Sequence, residues 1–301
     1  MRVQVCIPHY FREHTDPGEN PNGYGSLRSG ARLARSIALS RCITALLDLQ
    51  RRPETCLLNI SRKSIDHVAN GDTPLEVQIS LCTDGTHRLQ DVLDLYKNRI
   101  EVIDLPLDNP RELPLACRDH LIRNHPDADL LTYLEDDVVI HDKLFFDKQL
   151  WFHSKTNHQF SLMPHRYERV DTESMETLMV DGPLDPSFIS KFAQPQTNVA
   201  NGQFRGVDNV SFDVASNPHS GTFCVSREQA QQLQAAELPR DEAQPGVLEV
   251  PPGGAWPPFL PALHQHVAPP ERRLTPHTVA AIPFGSSISL LPLTLSSISI
   301  G

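Results

Sequence analysis

The first half of the chain alternates short apolar segments with longer amphipathic ones, and this alternation constrains the fold more than any other feature. Continuous or alternating apolar residues in the short segments are typical of strands, and apolar residues every three or four positions in the longer segments are typical of helices. The predicted strands cover 3–7, 76–82, 100–105 and 130–134, and the predicted helices cover 32–51, 87–98 and 111–124. Elements that alternate at this spacing build a parallel sheet with helices on both faces, so we predict a doubly wound α/β fold.

The elements predicted beyond residue 140 are fewer and less regular. We predict a helix over 142–154, strands over 159–167 and 221–225, and a helix over 226–236, with most of 171–218 in loops. Ser226 followed by Gln229 is the pattern of a capping box, which is why the last helix is predicted to begin there. The length of 301 residues allows one large domain or two ordinary ones.

Residues 239–301 differ in composition from the rest of the chain. They contain 12 of the 26 prolines, and no Asp, Glu, Lys or Arg occurs from Leu274 onward. Because such a segment cannot form an ordinary amphipathic fold, we predict a flexible or poorly packed tail outside the main domain. The uncharged stretch 285–300 favours β aggregation. A shifted reading frame would account for a non-native tail, a hypothesis that reading the encoding DNA in the other two frames tests.

Charge and cysteine content exclude several classes of protein. The formal net charge is −10 and the pI is about 5.7, so nucleic acid is not expected as the main partner, because phosphate binding needs a basic face. The six cysteines form no CxxC pair, which leaves zinc ribbons and thioredoxin-like chemistry without a signature. The N-terminus has no signal-peptide pattern, and no run of 18 apolar residues occurs. We therefore expect a reduced, cytoplasmic protein without a transmembrane segment.

The most informative motif is the acidic triplet Glu135-Asp136-Asp137, which follows the apolar segment 130–134 without a break. In an open parallel sheet, ligands bind beyond the carboxyl ends of the strands. If the strand continues through the triplet, Glu135 and Asp137 project to one side and Asp136 to the other. Adjacent carboxylates repel unless a cation or donors offset their charge, and hard oxygen ligands favour Mg²⁺ or Mn²⁺. The motif thus predicts a divalent-cation site, and a solvated acidic turn is the alternative.

The triplet in this context resembles the DxD motif of GT-A nucleotide-sugar glycosyltransferases, and three further segments resemble that family in order. They are Cys6-Ile7-Pro8-His9-Tyr10-Phe11-Arg12 at the end of the first strand, the turn Cys82-Thr83-Asp84-Gly85, and the helical segment Leu115-Ala116-Cys117-Arg118-Asp119. Asp119 stands where family-two-like members usually have Asn. The resemblance implies a GT-A-type, Rossmann-like, mostly parallel sheet flanked by helices. Within residues 1–238 it implies a nucleotide-binding half, 1–165, and an acceptor half, 166–238.

For the nucleotide, the resemblance implies roles at five positions. Pro8, His9 and Arg12 would lie around the bound nucleotide-sugar. Asp84 would hydrogen-bond the base, and Arg118 would steady the pyrophosphate or the acidic cluster. Each also has a purely structural interpretation, because Asp-Gly is a favourable turn and an arginine on a helix is commonly a surface charge.

For the metal and the acceptor, the resemblance implies a second set of roles. Asp137 would coordinate Mn²⁺ or Mg²⁺, Glu135 would contact the ribose or assist the metal, and Asp136 would contribute to the nucleotide-sugar site. His219 would be a third metal ligand. Glu228, in the first turn of the helix after Ser226, would be the catalytic base of an inverting enzyme, since the helix dipole favours its ionised form.

Together these residues predict a metal-dependent glycosyltransferase that moves a sugar from a nucleoside-diphosphate donor to an unknown acceptor. The cation would act as a Lewis acid on the leaving diphosphate. Two alternatives stay open: a nucleotidyltransferase on a similar sheet, and a non-catalytic relative that binds a sugar or a partner. A nucleotidyltransferase usually carries a Gly-rich basic loop after its first strand, which residues 8–12 do not form. A P-loop NTPase is excluded because no GxxxxGK[ST] motif occurs.

Overall fold

A five-stranded sheet forms the centre of the molecule. The computed structural model describes residues 1–13, 30–172, 175–180, 185, 187, 196–205, 209–215, 221–235, 262–265, 287–289 and 295–300. The central strands are β1 (Arg2–Pro8), β4 (Glu76–Thr83), β5 (Glu101–Asp104), β6 (Leu130–Leu134) and β13 (Thr222–Ser226), in the spatial order β13-β6-β1-β4-β5. Neighbouring strands pair in parallel from β6 to β5, and β13 is antiparallel to β6. The predicted mostly parallel sheet is confirmed.

Helices pack against both faces of this sheet. Those in the described residues are α1 (Arg32–Leu47), α2 (Gln90–Tyr96), α3 (Leu113–Asn124), α4 (Phe145–Lys155) and α5 (Arg227–Ala235). Successive side chains of β1 point to opposite faces: Val5 and Ile7 join the core that contains α1, whereas Cys6 joins the core that contains α3. A strand buried on both faces has a nearly continuous apolar sequence, as this one does. The predicted α/β class is therefore confirmed. None of the described helices is both long and apolar enough to cross a membrane.

A hairpin that was not predicted lies between the first two parallel strands. It consists of β2 (Glu54–Asn59) and β3 (Ser64–Ala69), which pair with each other in antiparallel register. Lys63, in the turn, has a φ of 51°. The apolar side chains of Leu57 and Leu58 are 53% and 72% exposed, so burial does not impose the alternation by which a strand is recognised in a sequence.

The second half contains more strands than predicted. The predicted strand 159–167 is divided into β8 (Ser161–Leu162) and β9 (His165–Thr172), which are separated by Pro164, a residue without an N–H for strand pairing. The region 171–218, predicted mostly in loops, contains β10 (Met175–Met179), β11 (Ala200–Phe204) and β12 (Val210–Val214). These strands are short and interrupted by polar residues, so their local sequence pattern is weak.

Three short segments beyond residue 238 pair with strands of the main body. They are β14 (Ala262–Gln265), β15 (Ser287–Ser289) and β16 (Leu295–Ile300). Together with β7 (Val139–Ile140) they complete two further sheets, β10-β9-β15-β7 and β16-β11-β12-β14-β8. The rest of 239–301 lies outside the described residues, and the predicted domain boundary at 238 stays a prediction.

Candidate cation and nucleotide site

The acidic triplet lies directly beyond the carboxyl end of β6. The strand stops at Leu134, and Asp136 and Asp137 belong to a turn. The Glu135 amide donates to the Gly221 carbonyl oxygen (3.0 Å), and the Val138 amide donates to the Glu135 carbonyl oxygen (3.1 Å). The projection of Glu135 and Asp137 to one side and of Asp136 to the other requires the strand to continue through the triplet. The strand ends at Leu134, so strand alternation does not apply to these residues.

Arg35, which the sequence analysis did not identify, joins two of the three carboxylates. It lies in the first turn of α1, and its Nη1 donates to Asp137 Oδ2 (2.7 Å) while its Nη2 donates to Asp136. The Arg35 side chain is only 16% exposed. A buried guanidinium that contacts both carboxylates offsets the repulsion between them and raises the pKa of Arg35. No feature of the local sequence identifies this residue, since 102 positions separate Arg35 from Asp137.

His9 holds Asp136 from the side opposite Arg35. The imidazole is fully buried; Nδ1 donates to Asp136 Oδ2 (2.6 Å), and Nε2 accepts from the Leu89 amide (3.1 Å). A neutral ring satisfies both bonds. Burial by itself would raise the pKa of Asp136, but Arg35 and His9 outweigh it and lower that pKa to about 2. Both His9 nitrogens and both Asp136 oxygens therefore have protein partners, and the predicted contacts of these two residues with a nucleotide-sugar stay a prediction.

Asp137 and Glu135 are the carboxylates of the triplet that solvent reaches. The Asp137 side chain is 30% exposed, and among the described residues its Oδ1 has no hydrogen-bond partner. Glu135 is half-buried. Two carboxylates at a strand end, one of them with an unpartnered oxygen, match the donor set of a hard divalent cation, which keeps water ligands and also binds substrate phosphates. These residues therefore fit Mn²⁺ or Mg²⁺.

Gly221 brings a second guanidinium to this edge of the sheet. A Cβ atom at position 221 would lie 2.6 Å from Arg166 Nη1, too close unless that side chain moves, and a tight 3.2 Å from Glu135 Oε2. Arg166 is the second residue of β9. Glycine here lets a cationic and an anionic side chain approach the backbone of one residue, next to the triplet. Arg166 stood out in no sequence pattern.

Asp84 holds the turn that follows β4. Its Oδ1 accepts from the amides of Thr86 (2.9 Å) and His87 (2.7 Å), and its Oδ2 accepts from His87 Nδ1 (2.7 Å). Partial burial opposes ionisation, but these bonds outweigh it and lower the pKa of Asp84. Gly85 has a φ of +85°, a conformation that favours glycine. These hydrogen bonds support the interpretation of Asp84-Gly85 as a turn. Base recognition by Asp84 stays a prediction.

The other residues predicted to bind the nucleotide-sugar differ in burial. The Arg118 side chain is buried, and its guanidinium bonds to Asp119 Oδ1 at 3.0 and 3.2 Å, not to the triplet. The surface-charge interpretation of Arg118 is wrong, and so is its predicted contact with the acidic cluster. Arg12 is exposed, and Pro8 ends β1 at the edge where the triplet lies.

Glu228 lies at the opposite edge of the sheet from the triplet. Since β13 is antiparallel to β6, Thr222 pairs with Leu134 beside the triplet, whereas Ser226 pairs with Leu130 at the far end. Four residues of strand separate these ends by about 13 Å. The Glu228 side chain is 56% exposed and lies 3.5 Å from His158 Nδ1. The prediction that Glu228 is the catalytic base is therefore wrong, because it did not account for the direction of β13.

The predicted metal ligand His219 lies outside the described residues, so its contribution stays a prediction. The capping box beside Glu228 is confirmed: the Gln229 amide donates to Ser226 Oγ (3.2 Å), and the Ser226 amide donates to Gln229 Oε1 (3.0 Å). The predicted start of this helix is confirmed, and it lies at the edge of the sheet opposite the triplet.

Comparison with known proteins gives a coarse likeness. No protein-family model matches the chain, and no curated protein matches it. Among solved structures, residues 1–349 of S. aureus TarS, a glycosyltransferase, are similar at 12% identity with a TM-score of 0.40, over 83% of this chain and 52% of that chain. The nucleotidyltransferase CMP:2-keto-3-deoxy-manno-octonic acid synthetase, complexed with CTP, is similar at 9% identity with a TM-score of 0.34, over 80% of each chain. The chain thus spans about half the length of the TarS structure, and similarity at this level assigns no family.

Proposed function

We propose that the chain is a nucleotide-sugar-dependent glycosyltransferase whose divalent cation, Mn²⁺ or Mg²⁺, is held by Asp137 and Glu135. One observation carries the proposal: Asp137 is fixed by Arg35 through one carboxylate oxygen and keeps the other without a partner among the described residues. This oxygen lies beyond the carboxyl end of a central parallel strand, the place where open α/β sheets bind ligands. The four-segment sequence resemblance favours a sugar nucleotide over other diphosphates.

The residues around such a site would have different roles. Arg35 and Asp136 hold Asp137 in place, so that its free oxygen needs little reorganisation to bind an ion. His9 fixes Asp136 from the other side, and it acts on the ligand only through that carboxylate. A bound divalent cation would stabilise the charge that develops on the departing diphosphate. Arg166, beside Gly221, places positive charge at the same edge, where it would attract the phosphates.

Binding of UDP and GDP in the presence of Mn²⁺ tests the proposal. Calorimetry should show manganese-dependent binding to the wild type and its loss in Asp137→Ala, with the circular dichroism spectrum and the unfolding temperature retained. Asp94→Ala is the matched control, because Asp94 is an exposed carboxylate on α2 that contacts Gln90. Equal binding by wild type and Asp137→Ala, or binding that EDTA does not reduce, would overturn the proposal.

The products of donor turnover separate the proposed class from its alternatives. Release of free sugar and nucleoside diphosphate from a sugar nucleotide in Mn²⁺ indicates glycosyl transfer to water in place of the acceptor. Formation of pyrophosphate from a nucleoside triphosphate and a sugar or sugar phosphate indicates a nucleotidyltransferase. Binding without turnover of any sugar nucleotide, with every common donor sugar screened by thermal stabilisation, indicates a non-catalytic relative.

The third predicted ligand is tested separately. We propose His219 as a further cation ligand, since it precedes Gly221 by two positions in the sequence and Gly221 lies beside Glu135. His219→Ala should weaken manganese-dependent nucleotide binding without altering binding of the nucleotide alone. Unchanged manganese dependence would exclude His219 from the site and would leave the role of Asp137 unaffected.

A further inference from the structure

A cluster of thiols and imidazoles lies on the face of the central sheet that α3 covers. Cys6 comes from β1, Cys82 from β4, and Cys117 from α3, and all three side chains are buried. The three thiols lie close enough together for each to shift the pKa of the others. His120 on α3 and His125, its C-terminal cap, lie beside Cys6. One potential ligand atom from each of Cys6, His120 and His125 lies within 4.8 Å of the other two.

Both histidines leave a ring nitrogen without a partner. The Nε2 atoms of His120 and His125 are buried and have no hydrogen-bond partner in the part of the chain that the structure describes. The two rings are 5.4 Å apart at an interplanar angle of 69°, an edge contact that satisfies neither nitrogen. A buried polar atom without a partner lowers the stability of the fold by about 1–3 kcal/mol. A ligand bound to these two nitrogens would remove that cost.

We propose that Cys6, His120 and His125 bind Zn²⁺. Thiolate sulfur and imidazole nitrogen are the donors that zinc sites in proteins use, around a tetrahedral ion. The three side chains supply one thiolate and two imidazoles, and the fourth position is open to water. The oxygen-rich site at Asp137 suits a harder ion, so the two sites differ in metal preference.

Zinc binding needs these ligands in their deprotonated forms. The Cys6 thiol would release its proton to solvent when the ion binds, and each imidazole would offer the lone pair of a neutral nitrogen. For Nε2 of His120 to bind the ion, Nδ1 must carry the ring proton. The Asn124 amide nitrogen Nδ2 lies 3.0 Å from that Nδ1 and donates to the His120 carbonyl oxygen (3.1 Å), so the carboxamide must turn over for its oxygen to accept the Nδ1 proton.

A zinc ion here would join β1 to α3 close to the carboxyl end of the strand, with Cys6 three residues before His9. It would stabilise the packing of α3 on the sheet. This inference is independent of the proposed function.

Cobalt substitution tests the site on the full chain. After treatment with a chelator and a reductant, one equivalent of Co²⁺ should produce thiolate-to-cobalt charge-transfer absorption and the intense visible bands of a tetrahedral ion, and Zn²⁺ should remove both. Cys6→Ala and His125→Ala should weaken cobalt binding by more than about tenfold. Cys224→Ala is the matched control, since Cys224 is a buried cysteine of β13 whose sulfur meets Thr132. Absence of the charge-transfer band from the wild type would overturn the proposal.

Two further measurements keep the test decisive. Zinc should raise the unfolding temperature of the wild type and Cys224→Ala but not that of His125→Ala, a substitution at the C-terminal cap of α3. Cys56 and His67 form an exposed pair 3.8 Å apart on the hairpin, and cobalt absorption lost in Cys56→Ala instead of Cys6→Ala would overturn the assignment. Asp137→Ala should keep the cobalt–thiolate spectrum while it loses nucleotide binding, so failure of one proposal is distinguishable from failure of the other.

Discussion

At the scale of single residues, three adjacent carboxylates have three different environments. Asp136 is buried between His9 and Arg35, Asp137 shares Arg35 and reaches solvent, and Glu135 lies beside Gly221. The difference follows from the turn at the end of β6, which aims each side chain separately. One carboxylate can then position its neighbour, and only the neighbour needs to be accessible to a cation.

Asp136→Asn should destabilise the fold in a pH-dependent way. The pKa of Asp136 is lowered from 3.8 to about 2, which corresponds to roughly 2 kcal/mol of stability. Because the folded pKa is the lower one, this contribution is complete above about pH 4 and is lost as the pH falls toward 2. Urea unfolding at pH values from 7 to 2 should show the wild type more stable than the variant at neutral pH, with the difference shrinking below pH 4. Asp94→Asn should match the wild type throughout, and a difference that stays constant down to pH 2 would contradict this explanation.

At the scale of elements, the direction of one strand decides which residues share an edge. The antiparallel β13 carries the chain from Gly221 beside the triplet to Ser226 at the far edge, where α5 begins. The reciprocal bonds of Ser226 and Gln229 cap α5, and His158 Nδ1 lies 2.8 Å from Ser226 Oγ. This junction therefore stabilises the fold and takes no part in the candidate site.

Ser226→Ala should lower the free energy of unfolding by about 1 kcal/mol, the usual cost of an N-cap serine. Denaturant unfolding measures this loss, and nucleotide binding in Mn²⁺ should stay unchanged because the cap is at the other edge of the sheet. Glu228→Ala is the companion variant. It should leave both stability and donor turnover unchanged, and a large loss of turnover in that variant would show that Glu228 reaches the reacting atoms.

At the scale of the whole molecule, a buried neutral histidine makes the free energy of unfolding depend on pH. His153 on α4 is fully buried, its Nδ1 donates to the Phe160 carbonyl oxygen (3.2 Å), and burial lowers its pKa from 6.5 to about 4. Between those pH values the unfolded chain binds more protons than the folded one. Stability therefore falls as the pH drops through this window, by up to about 3 kcal/mol from this group.

His153→Gln should reduce this acid sensitivity, since the amide can still donate to Phe160 and does not titrate. Thermal and urea unfolding at pH 7, 6, 5 and 4 should show a smaller loss of stability in the variant than in the wild type. His67→Gln, on the exposed hairpin, should follow the wild type. Parallel stability curves for His153→Gln and the wild type would show that the loss has another source.

The sequence by itself determined the elements that depend on local periodicity and local capping. The strand Leu130–Leu134 and the beginning of α5 at the Ser226–Gln229 box agree with the structure, and so does the alternation that makes the fold α/β. These features are predictable because hydrophobic burial on one strand or helix repeats every two or three to four residues, and a helix cap involves neighbours in the chain. The position of the acidic triplet at a strand end follows from the same local pattern.

Only the tertiary structure decided which distant residues meet. Arg35 reaches Asp137 across 102 positions, His9 reaches Asp136 across 127, and Cys6 meets His120 and His125 only because α3 packs on the sheet. The direction of β13, which removes Glu228 from the site, is likewise set by pairing with β6. Such contacts depend on how whole elements pack and pair. A single sequence records the hydrophobicity of each element but not which element lies beside it. Neither the contacts of Arg35 and His9 with the acidic triplet nor the thiol–imidazole cluster therefore has a local signature.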